Sequence, residues 1–236
     1  MKVLAFDSTA KAASVAVTDD KRLIGEYTID NGLTQSELLL PMAENLLSSL
    51  GLSISDIDLF GVSVGPGSFT GVRIGVSLVK GLAFGTDKPT SPVSTIEALA
   101  ENLAGVYGII VPCMDARRGQ VYSGIFSSSG EGIVRLTEDI AIPIDELYKM
   151  LLKYSDMPIY LVGDGYCAAR ARLTELGLRT EVTPEGLIRE SGYSVARVAL
   201  RMHEMGLSVS ERELSPTYLR MPQAERERLE RLGENK

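Results

Sequence analysis

The chain opens with Lys2-Val3-Leu4-Ala5-Phe6-Asp7-Ser8-Thr9-Ala10-Lys11, an apolar run that ends in an acid, two hydroxyls and a polar break. Apolar residues resume over 12–18, so the pattern predicts a β-hairpin with Asp7-Ser8-Thr9 at its turn. After Asp19-Asp20, a third strand is expected over 22–29. This opening decides the fold class, because the same layout returns later in the chain.

The second occurrence begins with a buried-strand pattern over 109–114. It runs into the turn Asp115-Ala116-Arg117-Arg118-Gly119, and the chain returns as a strand over 120–126. Two copies of one hairpin layout, each followed by helical patterns, predict an α/β protein with two lobes.

The length of 236 residues fits two compact lobes better than one large domain. We expect an N-terminal lobe over 1–104 and a C-terminal lobe over 105–206, which ends in a long helix. A further helix around 207–222 is expected to pack back on the N-terminal lobe. Residues 223–236 are mostly charged and are expected to form a solvated tail.

The charge balance limits what the chain can bind. With a net charge of -7 and a pI near 4.9, the chain lacks the positive charge by which proteins hold phosphates, so tRNA or another nucleic acid is expected only through a partner. The N-terminus reaches Asp7 too early for the apolar stretch of a signal peptide or membrane helix. A cytoplasmic protein is expected, with Cys113 and Cys167 as free thiols.

Two amphipathic helices follow the opening strands. Thr34 and Glu37 have the spacing of a capping box, and apolar residues then recur every three or four positions. A second helix is expected over 72–84, apolar nearly all round except at Arg73 and Lys80. The stripe of the first helix comprises Leu38, Leu39, Met42, Leu46, Leu47 and Leu50. These residues either fill the core alone or also meet a partner.

Glycine-rich turns follow two of the strands. Gly65-Pro66-Gly67-Ser68-Phe69-Thr70-Gly71 joins a strand to a helix, where backbone N–H groups can hold an anion. It is not a Walker loop, because no Gly-Lys-Ser/Thr follows. Gly163-Asp164-Gly165 is similarly placed. Both turns fit either a phosphate site or a backbone geometry that needs glycine. The candidate phosphate-loop residues are Asp7, Ser8, Thr9, Gly163 and Gly165.

The histidine count argues against several classes of enzyme. His203 is the one histidine of the sequence and falls on the polar side of the last expected helix. A two-histidine metal site, a Cys/His zinc site and a Ser-His-Asp triad each need residues that the sequence does not supply in suitable places. No catalytic residue and no metal ligand is therefore assigned.

Five stretches carry a family resemblance that covers nearly the whole chain. They are Ala5-Phe6-Asp7-Ser8-Thr9, Gln35-Ser36-Glu37-Leu38-Leu39-Leu40-Pro41, Gly65-Pro66-Gly67-Ser68-Phe69-Thr70-Gly71-Val72-Arg73-Ile74-Gly75, Met114-Asp115-Ala116-Arg117-Arg118-Gly119-Gln120-Val121-Tyr122 and Pro216-Thr217-Tyr218-Leu219-Arg220. Together they resemble the bacterial TsaB family, formerly YeaZ. The run that begins at Gly65 is specific to that family.

The resemblance implies the actin-like ATPase fold, of the ASKHA and ribonuclease H-like class, with duplicated mixed sheets flanked by helices. It also implies a non-catalytic subunit of the complex that forms threonylcarbamoyladenosine next to the anticodon of tRNAs reading A-starting codons. The implied partners are a TsaD-type transferase, which the chain activates, and a TsaE-type ATPase, with a homodimer when the chain is alone. No cofactor is expected to bind tightly to the chain alone, and ATP or ADP is expected, if anywhere, at the partner interface.

Two departures from related sequences bear on these expectations. Catalytic relatives carry a His-x-x-x-His metal motif, and the matching positions here are Thr95 and Leu99, which cannot ligate a metal in that way. Many TsaB members have histidine where this chain has Gln35. Any role of that histidine is therefore in doubt here.

The resemblance also implies an interface, because in the family the first two helices pack against the same pair in the partner. The implied interface residues are Leu38, Leu39, Met42, Leu46, Val72, Arg73, Val76 and Lys80. The alternative function is a self-sufficient ATP-dependent kinase of the same fold. That alternative needs intact phosphate loops in both lobes, and the turn over 8–11 lacks the glycine pair typical of active members.

Overall fold

The computed structural model describes residues 1–130 and 132–220, so the tail expected over 223–236 lies outside the described residues. The strands of the first sheet are β1 (Lys2–Asp7), β2 (Ala13–Asp19), β3 (Arg22–Ile29), β4 (Leu59–Gly65) and β5 (Thr90–Ser94). Their order is β3-β2-β1-β4-β5. The first three strands pair antiparallel as predicted, whereas β4 and β5 add in parallel.

The second sheet is built around β6. Its strands are β6 (Gly108–Asp115), β7 (Gln120–Ser123), β8 (Phe126–Ser128), β9 (Ile133–Arg135), β10 (Ile140–Pro143) and β11 (Ile159–Val162). β7 and β8 pair antiparallel with β6 in one register, so they continue one another along the same edge. β11 pairs parallel with β6.

The two sheets repeat one arrangement. In each sheet a long strand lies between an antiparallel hairpin partner and a parallel strand: β1 lies beside β2 and β4, and β6 lies beside β7 and β11. The duplication expected from the two hairpins is confirmed. The chain has the two-lobed actin-like ATPase architecture, with mixed sheets flanked by helices.

Six α-helices flank the sheets in the described part of the chain. They are α1 (Gln35–Ser49), α2 (Phe69–Ala83), α3 (Thr95–Glu101), α4 (Ile144–Leu151), α5 (Tyr166–Glu175) and α6 (Gly192–Glu204). The predicted capping box forms at the start of α1. The Thr34 side chain accepts the backbone N–H of Glu37, and the Glu37 carboxylate accepts the backbone N–H of Thr34. α1 and α2 share one core with the first sheet, and α4 and α5 share another with the second. No described helix has both the length and the apolar character needed to span a membrane.

The last helix, α6, belongs to the first lobe. Val195 and Ala199 of α6 share a core with Val3 and Ala5 of β1. A Cβ on Gly61 would lie 2.7 Å from that of Ala199, so the helix lies directly on the sheet. The boundary that assigned 105–206 to the C-terminal lobe is therefore wrong. Helical periodicity identifies the buried face of α6 but not the sheet that covers it.

The segment 207–220 contains no helix, so that prediction is wrong for these residues. The backbone of this segment bonds to the first lobe instead: Val209 forms an antiparallel bridge with Thr90, and the Thr217 N–H donates to the Val64 carbonyl at 2.7 Å. Leu214 is buried in the core shared by α1 and α2. The segment is thus an extended strap along the first lobe.

Carboxylates of α3 tie neighbouring elements together. Glu101 is only 2% exposed and forms ion pairs with Arg197 and Arg201 of α6 at 2.8 and 3.1 Å. Glu97 pairs with Arg201 at 2.8 Å and with Arg135 of β9 at 3.0 Å. The network therefore joins both lobes through one short helix.

Replacing Glu101 by alanine should destabilise the protein by about 2 kcal/mol, because two partly buried guanidinium groups lose their counter-charge. Urea unfolding followed by circular dichroism measures this change. The matched control is Glu175→Ala, which removes a carboxylate from an exposed pair with Arg172 and should cost less than about 0.5 kcal/mol. Equal losses for the two variants would contradict a structural role for the buried pair.

Candidate functional site

A cleft with a volume of about 430 Å³ lies where the two lobes meet. Its walls come from the β1–β2 turn, the loop before α2, the β6–β7 turn and the strap over 217–220. Every one of these segments was singled out in the sequence. They lie together because the two hairpins of the duplicated fold point their turns toward the same space.

Asp7 ends β1 below the floor of this cleft, and its carboxylate is fully engaged within the chain. One oxygen accepts the backbone N–H and the hydroxyl of Thr9 at 2.9 and 2.8 Å, and the other accepts the Ser63 hydroxyl at 2.5 Å. Burial raises the pKa of Asp7 above its usual range, although these donors oppose the shift. The carboxylate is therefore not presented to a ligand or a metal ion.

The first turn of α2 lies directly against the β1–β2 turn. The Ser8 hydroxyl donates to the Gly71 carbonyl at 2.8 Å, and the Ser68 N–H donates to the Thr9 carbonyl at 2.7 Å. A Cβ on Gly71 would lie 2.0 Å from the Ser8 carbonyl oxygen, and one on Gly67 would lie 2.5 Å from that of Thr9. The glycines are thus required by close packing of the β1–β2 turn against the first turn of α2.

The corresponding turn of the second lobe is packed in a similar way. A Cβ on Gly163 or Gly165 would lie 2.6 or 2.7 Å from the Cys113 carbonyl oxygen, which accepts the Gly165 N–H. Between the two glycines, Asp164 lines the cleft and accepts the Asp115 N–H at 2.9 Å. Close approach to β6 therefore accounts for both glycines.

The positions compared with a metal motif lie in the interior. Thr95 is buried at the start of α3, and Leu99 packs in the core beneath the second sheet. Within 1–130 and 132–220, no three His, Cys, Asp or Glu side chains are placed so that they could hold a metal ion. His203 faces Ser208, with 3.1 Å between the ring Nδ1 and the hydroxyl.

Gln35 has a clear structural role. Its side-chain amide donates to the carbonyls of Ala10 and Lys11 at 2.9 and 3.0 Å, so the start of α1 holds the β1–β2 turn in place. The sequence pattern marked Gln35 as a departure from the family but did not indicate this contact.

Glu190 is the residue near the site that sequence reasoning missed. Its side chain is 4% exposed, and one of its oxygens has no hydrogen-bond partner among the described residues. Burial, followed by repulsion from Asp7, raises the pKa of Glu190 to about 8. The residue precedes α6, and nothing in its local sequence signals burial between the lobes.

The implied interface needs correction. Leu38, Leu39, Met42, Leu46, Val72 and Val76 all lie in the core between α1, α2 and the first sheet. Leu46 is only 3% exposed, so Leu46→Asp would disrupt the core rather than test an interface. Lys80 donates to the carbonyls of Arg212 and Leu214 in the strap. Of the eight residues, only Arg73 has an exposed side chain. The apolar stripe of α1 packs against the first sheet of the same chain.

The outward face of α2 nevertheless carries apolar surface. Phe69, Ile74 and Leu78 are half-buried along it, and Phe84 is 74% exposed just after the helix. Arg73 stacks on Phe69 at 3.8 Å and donates from Nε to the Tyr218 hydroxyl at 2.8 Å. A shallow groove on this face is lined by Phe69, Thr70, Arg73, Ile74 and Ser77.

Replacing Gly71 by alanine should destabilise the fold by about 3 kcal/mol, because the new methyl group meets the Ser8 backbone, which cannot move away freely. The control is Gly81→Ala in the same helix, where the added Cβ meets no atom within 4 Å. That variant should gain about 0.5–1 kcal/mol from helix propensity. Thermal unfolding of both variants tests the contact, and a stable Gly71→Ala protein would refute it.

The raised pKa of Glu190 predicts a pH dependence of stability. The unfolded chain ionises this carboxyl near pH ~4.3, whereas the folded chain does so near about 8. Stability is therefore highest below the unfolded pKa and falls as pH rises toward the folded pKa. Glu190→Gln should unfold at a higher urea concentration than the wild type near pH ~8.5, and the difference should shrink as pH falls and vanish near pH ~3.5, below the unfolded pKa. Exposed Glu181→Gln is the control, and a parallel shift for both variants would contradict the assignment.

The comparisons with known proteins agree with this architecture. Residues 34–206 match the family model described as TsaD: tRNA N6-adenosine threonylcarbamoyltransferase. A solved structure described as YeaZ from Pseudomonas aeruginosa superposes with a TM-score of 0.76 at 25% identity, covering 92% of this chain and 99% of that one.

Similarity to curated relatives extends over almost the full length. The Bacillus subtilis tRNA threonylcarbamoyladenosine biosynthesis protein TsaB is 31% identical over 95% of this chain and 96% of its own. The Escherichia coli protein of the same name is 30% identical over 93% of this chain and 95% of its own. The signature from Gly65 to Gly75 and the packing that requires its glycines lie within the matched region. The chain belongs to the TsaB family, and its role lies in tRNA threonylcarbamoyladenosine biosynthesis.

Proposed function

We propose that this chain is a non-catalytic subunit that binds and activates a TsaD-type transferase and works with a TsaE-type ATPase. The observation that carries the proposal is the direct contact between the Ser8–Thr9 turn and the first turn of α2. This contact uses the Ser68 N–H and leaves no room for a phosphate between the β1–β2 turn and α2. In this proposal the chain keeps the architecture of an ATPase, but nucleotide phosphates do not enter deep into its own cleft.

The engagement of Asp7 supports the same proposal. An acidic residue at this position could serve phosphoryl transfer only if it were free to reach a cation or a reacting oxygen. Here both of its oxygens accept hydrogen bonds from Thr9 and Ser63, and burial favours its neutral form. Nucleotide bound by the complex is therefore assigned to the interface with the partner and not to this chain alone.

The outward face of α2 is the proposed docking surface. Phe69, Ile74, Leu78 and Phe84 give it an apolar character that a monomer seldom leaves in contact with water. Ser77 and Gly81 are exposed between them, so a partner helix can approach closely. The same face would join two copies of the chain when the transferase is absent. In this arrangement the tRNA is held mainly by the partner.

Ser77→Arg should abolish co-elution with the TsaD-type partner and also the homodimer, because a long charged side chain would stand in the groove without touching the core. We expect affinity to fall by at least ~10-fold. Ala168→Arg adds the same side chain to the exposed face of α5 and should leave association unchanged. Unchanged co-elution of the Ser77→Arg protein on a sizing column would overturn the placement of the interface.

Reconstitution tests the function itself. The isolated chain should form no modified tRNA, and its addition to the TsaD-type and TsaE-type proteins should restore modification. Full activity without this chain would refute the activator role. Calorimetric titration of the chain alone with ATP and magnesium addresses the kinase alternative, since tight binding would favour that reading.

A further inference from the structure

The mouth of the interlobe cleft carries a concentration of positive charge on an otherwise acidic protein. Lys11, Arg117 and Arg220 line the cleft, and Arg73 touches its lining residues Phe69 and Tyr218. Asp115 and Asp164 also line the cleft and oppose anion binding, but each accepts a backbone N–H of the β6–β7 turn. Lys11 and Arg117 form no ion pair with any carboxylate of the described residues, whereas Arg135, Arg172, Arg189, Arg197 and Arg201 do.

The β6–β7 turn holds two of its arginines at a conformational cost. Arg117 and Arg118 have φ angles of 63° and 55°, in the left-handed region that glycine or asparagine adopts more readily. Gly119 continues the turn with φ 70°. Both side chains are exposed and make no hydrogen bond within the described part of the chain. The fold gains nothing from arginine at these strained and exposed positions, so a bound ligand better explains why arginine is present there.

Aromatic rings alternate with these cations. Tyr122 and Tyr218 line the cleft, with the guanidinium carbons of Arg220 and Arg73 5.8 Å from the respective ring centroids. The rings of Phe69 and Tyr218 lie 4.8 Å apart. Rings interleaved with guanidinium groups are the combination by which proteins hold unstacked bases and their phosphates.

The shape of the cleft distinguishes a free mononucleotide from an RNA chain as its ligand. A phosphate cannot enter between the β1–β2 turn and α2, because the Ser68 N–H at the start of the helix already donates to the Thr9 carbonyl. The cations that line the open mouth come instead from three separate segments, and Arg220 also donates from Nη1 to the Ala116 carbonyl at 3.2 Å. Such spacing suits successive phosphates of a polymer.

We infer that the mouth of the interlobe cleft, centred on Arg117, Arg220 and Tyr122 with Arg118 beside them in the β6–β7 turn, binds RNA directly and accepts an unstacked nucleotide with its flanking phosphates. The inference rests on the proposed function for the identity of the RNA as the tRNA substrate. It replaces the expectation, drawn from net charge alone, that the chain contacts tRNA only through a partner.

The test uses the full chain and a short fluorescein-labelled single-stranded oligoribonucleotide, followed by anisotropy between about 50 and 200 mM salt. The variant Arg117→Asn/Arg118→Asn removes two charges and places a residue suited to positive φ at each position. We expect it to bind about 10-fold more weakly, with the slope of log affinity against log salt reduced by about 1.4, or about 0.7 for each charge removed. Its melting temperature should not fall, so lost binding would not reflect unfolding. Tyr122→Leu should weaken binding with the salt slope unchanged.

The matched control is Arg22→Asn/Arg179→Asn, which removes the same charge at two exposed sites away from the cleft. It should retain wild-type binding within about twofold. Absence of binding by the wild type, or an equal loss for both double variants, would overturn the inference. Displacement of the RNA by equimolar ATP with magnesium would assign the cleft to a mononucleotide. Equal displacement by polyglutamate would assign it to an acidic protein. Either result would overturn the inference that the cleft binds RNA.

Co-elution with the TsaD-type partner is measured on the same proteins. The arginine variant should associate normally, because these residues lie outside the groove on α2. If wild-type association fails while RNA binding persists, the proposed function fails and the RNA site stands. If association succeeds and RNA does not bind, the RNA site fails alone.

Discussion

The contact between the β1–β2 turn and the first turn of α2 is the constraint on which the rest of the molecule depends. Ser8 and Thr9 meet Gly67 and Gly71 at distances that exclude any side chain on either glycine. The contact fixes the direction of α2, which places one side of the helix in the core and leaves the other in solvent. It also uses the Ser68 N–H, a donor that the start of a helix could otherwise offer to an anion. One contact therefore limits what the N-terminus of α2 can bind and determines which side of the helix stays exposed.

The lobes are held together by the chain's own charges. In a fold built to close on a nucleotide, the ligand supplies much of the interaction between the lobes. Here Glu97 of α3 reaches Arg201 of α6 and Arg135 of β9, while the buried Glu101 holds α6. Such a network favours one relative position of the lobes. A fixed body of this kind suits a protein that presents surfaces to partners more than one that opens and closes.

Local patterns predicted much of this fold. Three features could be predicted because each depends on residues close together in the sequence: the opening hairpin, its repeat in the second lobe and the capping box at Thr34. The strap over 207–220 was not, because its backbone bonds go to distant residues such as Thr90 and Val64. Periodicity placed Leu46 on an apolar stripe but could not distinguish the core of this chain from the surface of a partner.

The site was predictable in part for the same reason. Its turns could be identified from glycine and aspartate placement, whereas the burial of Glu190 depends on how the segment before α6 returns from the second lobe to the first. The glycines near Gly71 fitted either an anion site or a close approach, and only the position of Ser8 decides between these. The charge of the β6–β7 turn was visible in the sequence, but the net charge of -7 concealed its local excess of arginine.

The return of α6 to the first sheet has a consequence for synthesis of the chain. Strands β1 to β5 are complete once residue 94 has been made, yet on the face that receives Val195 and Ala199 only Ala98 of α3 packs before α6 follows. The second sheet, with all its strands between 108 and 162, is finished in the interval. On the ribosome the lobe that begins first must therefore finish last, with an apolar face exposed while its neighbour folds.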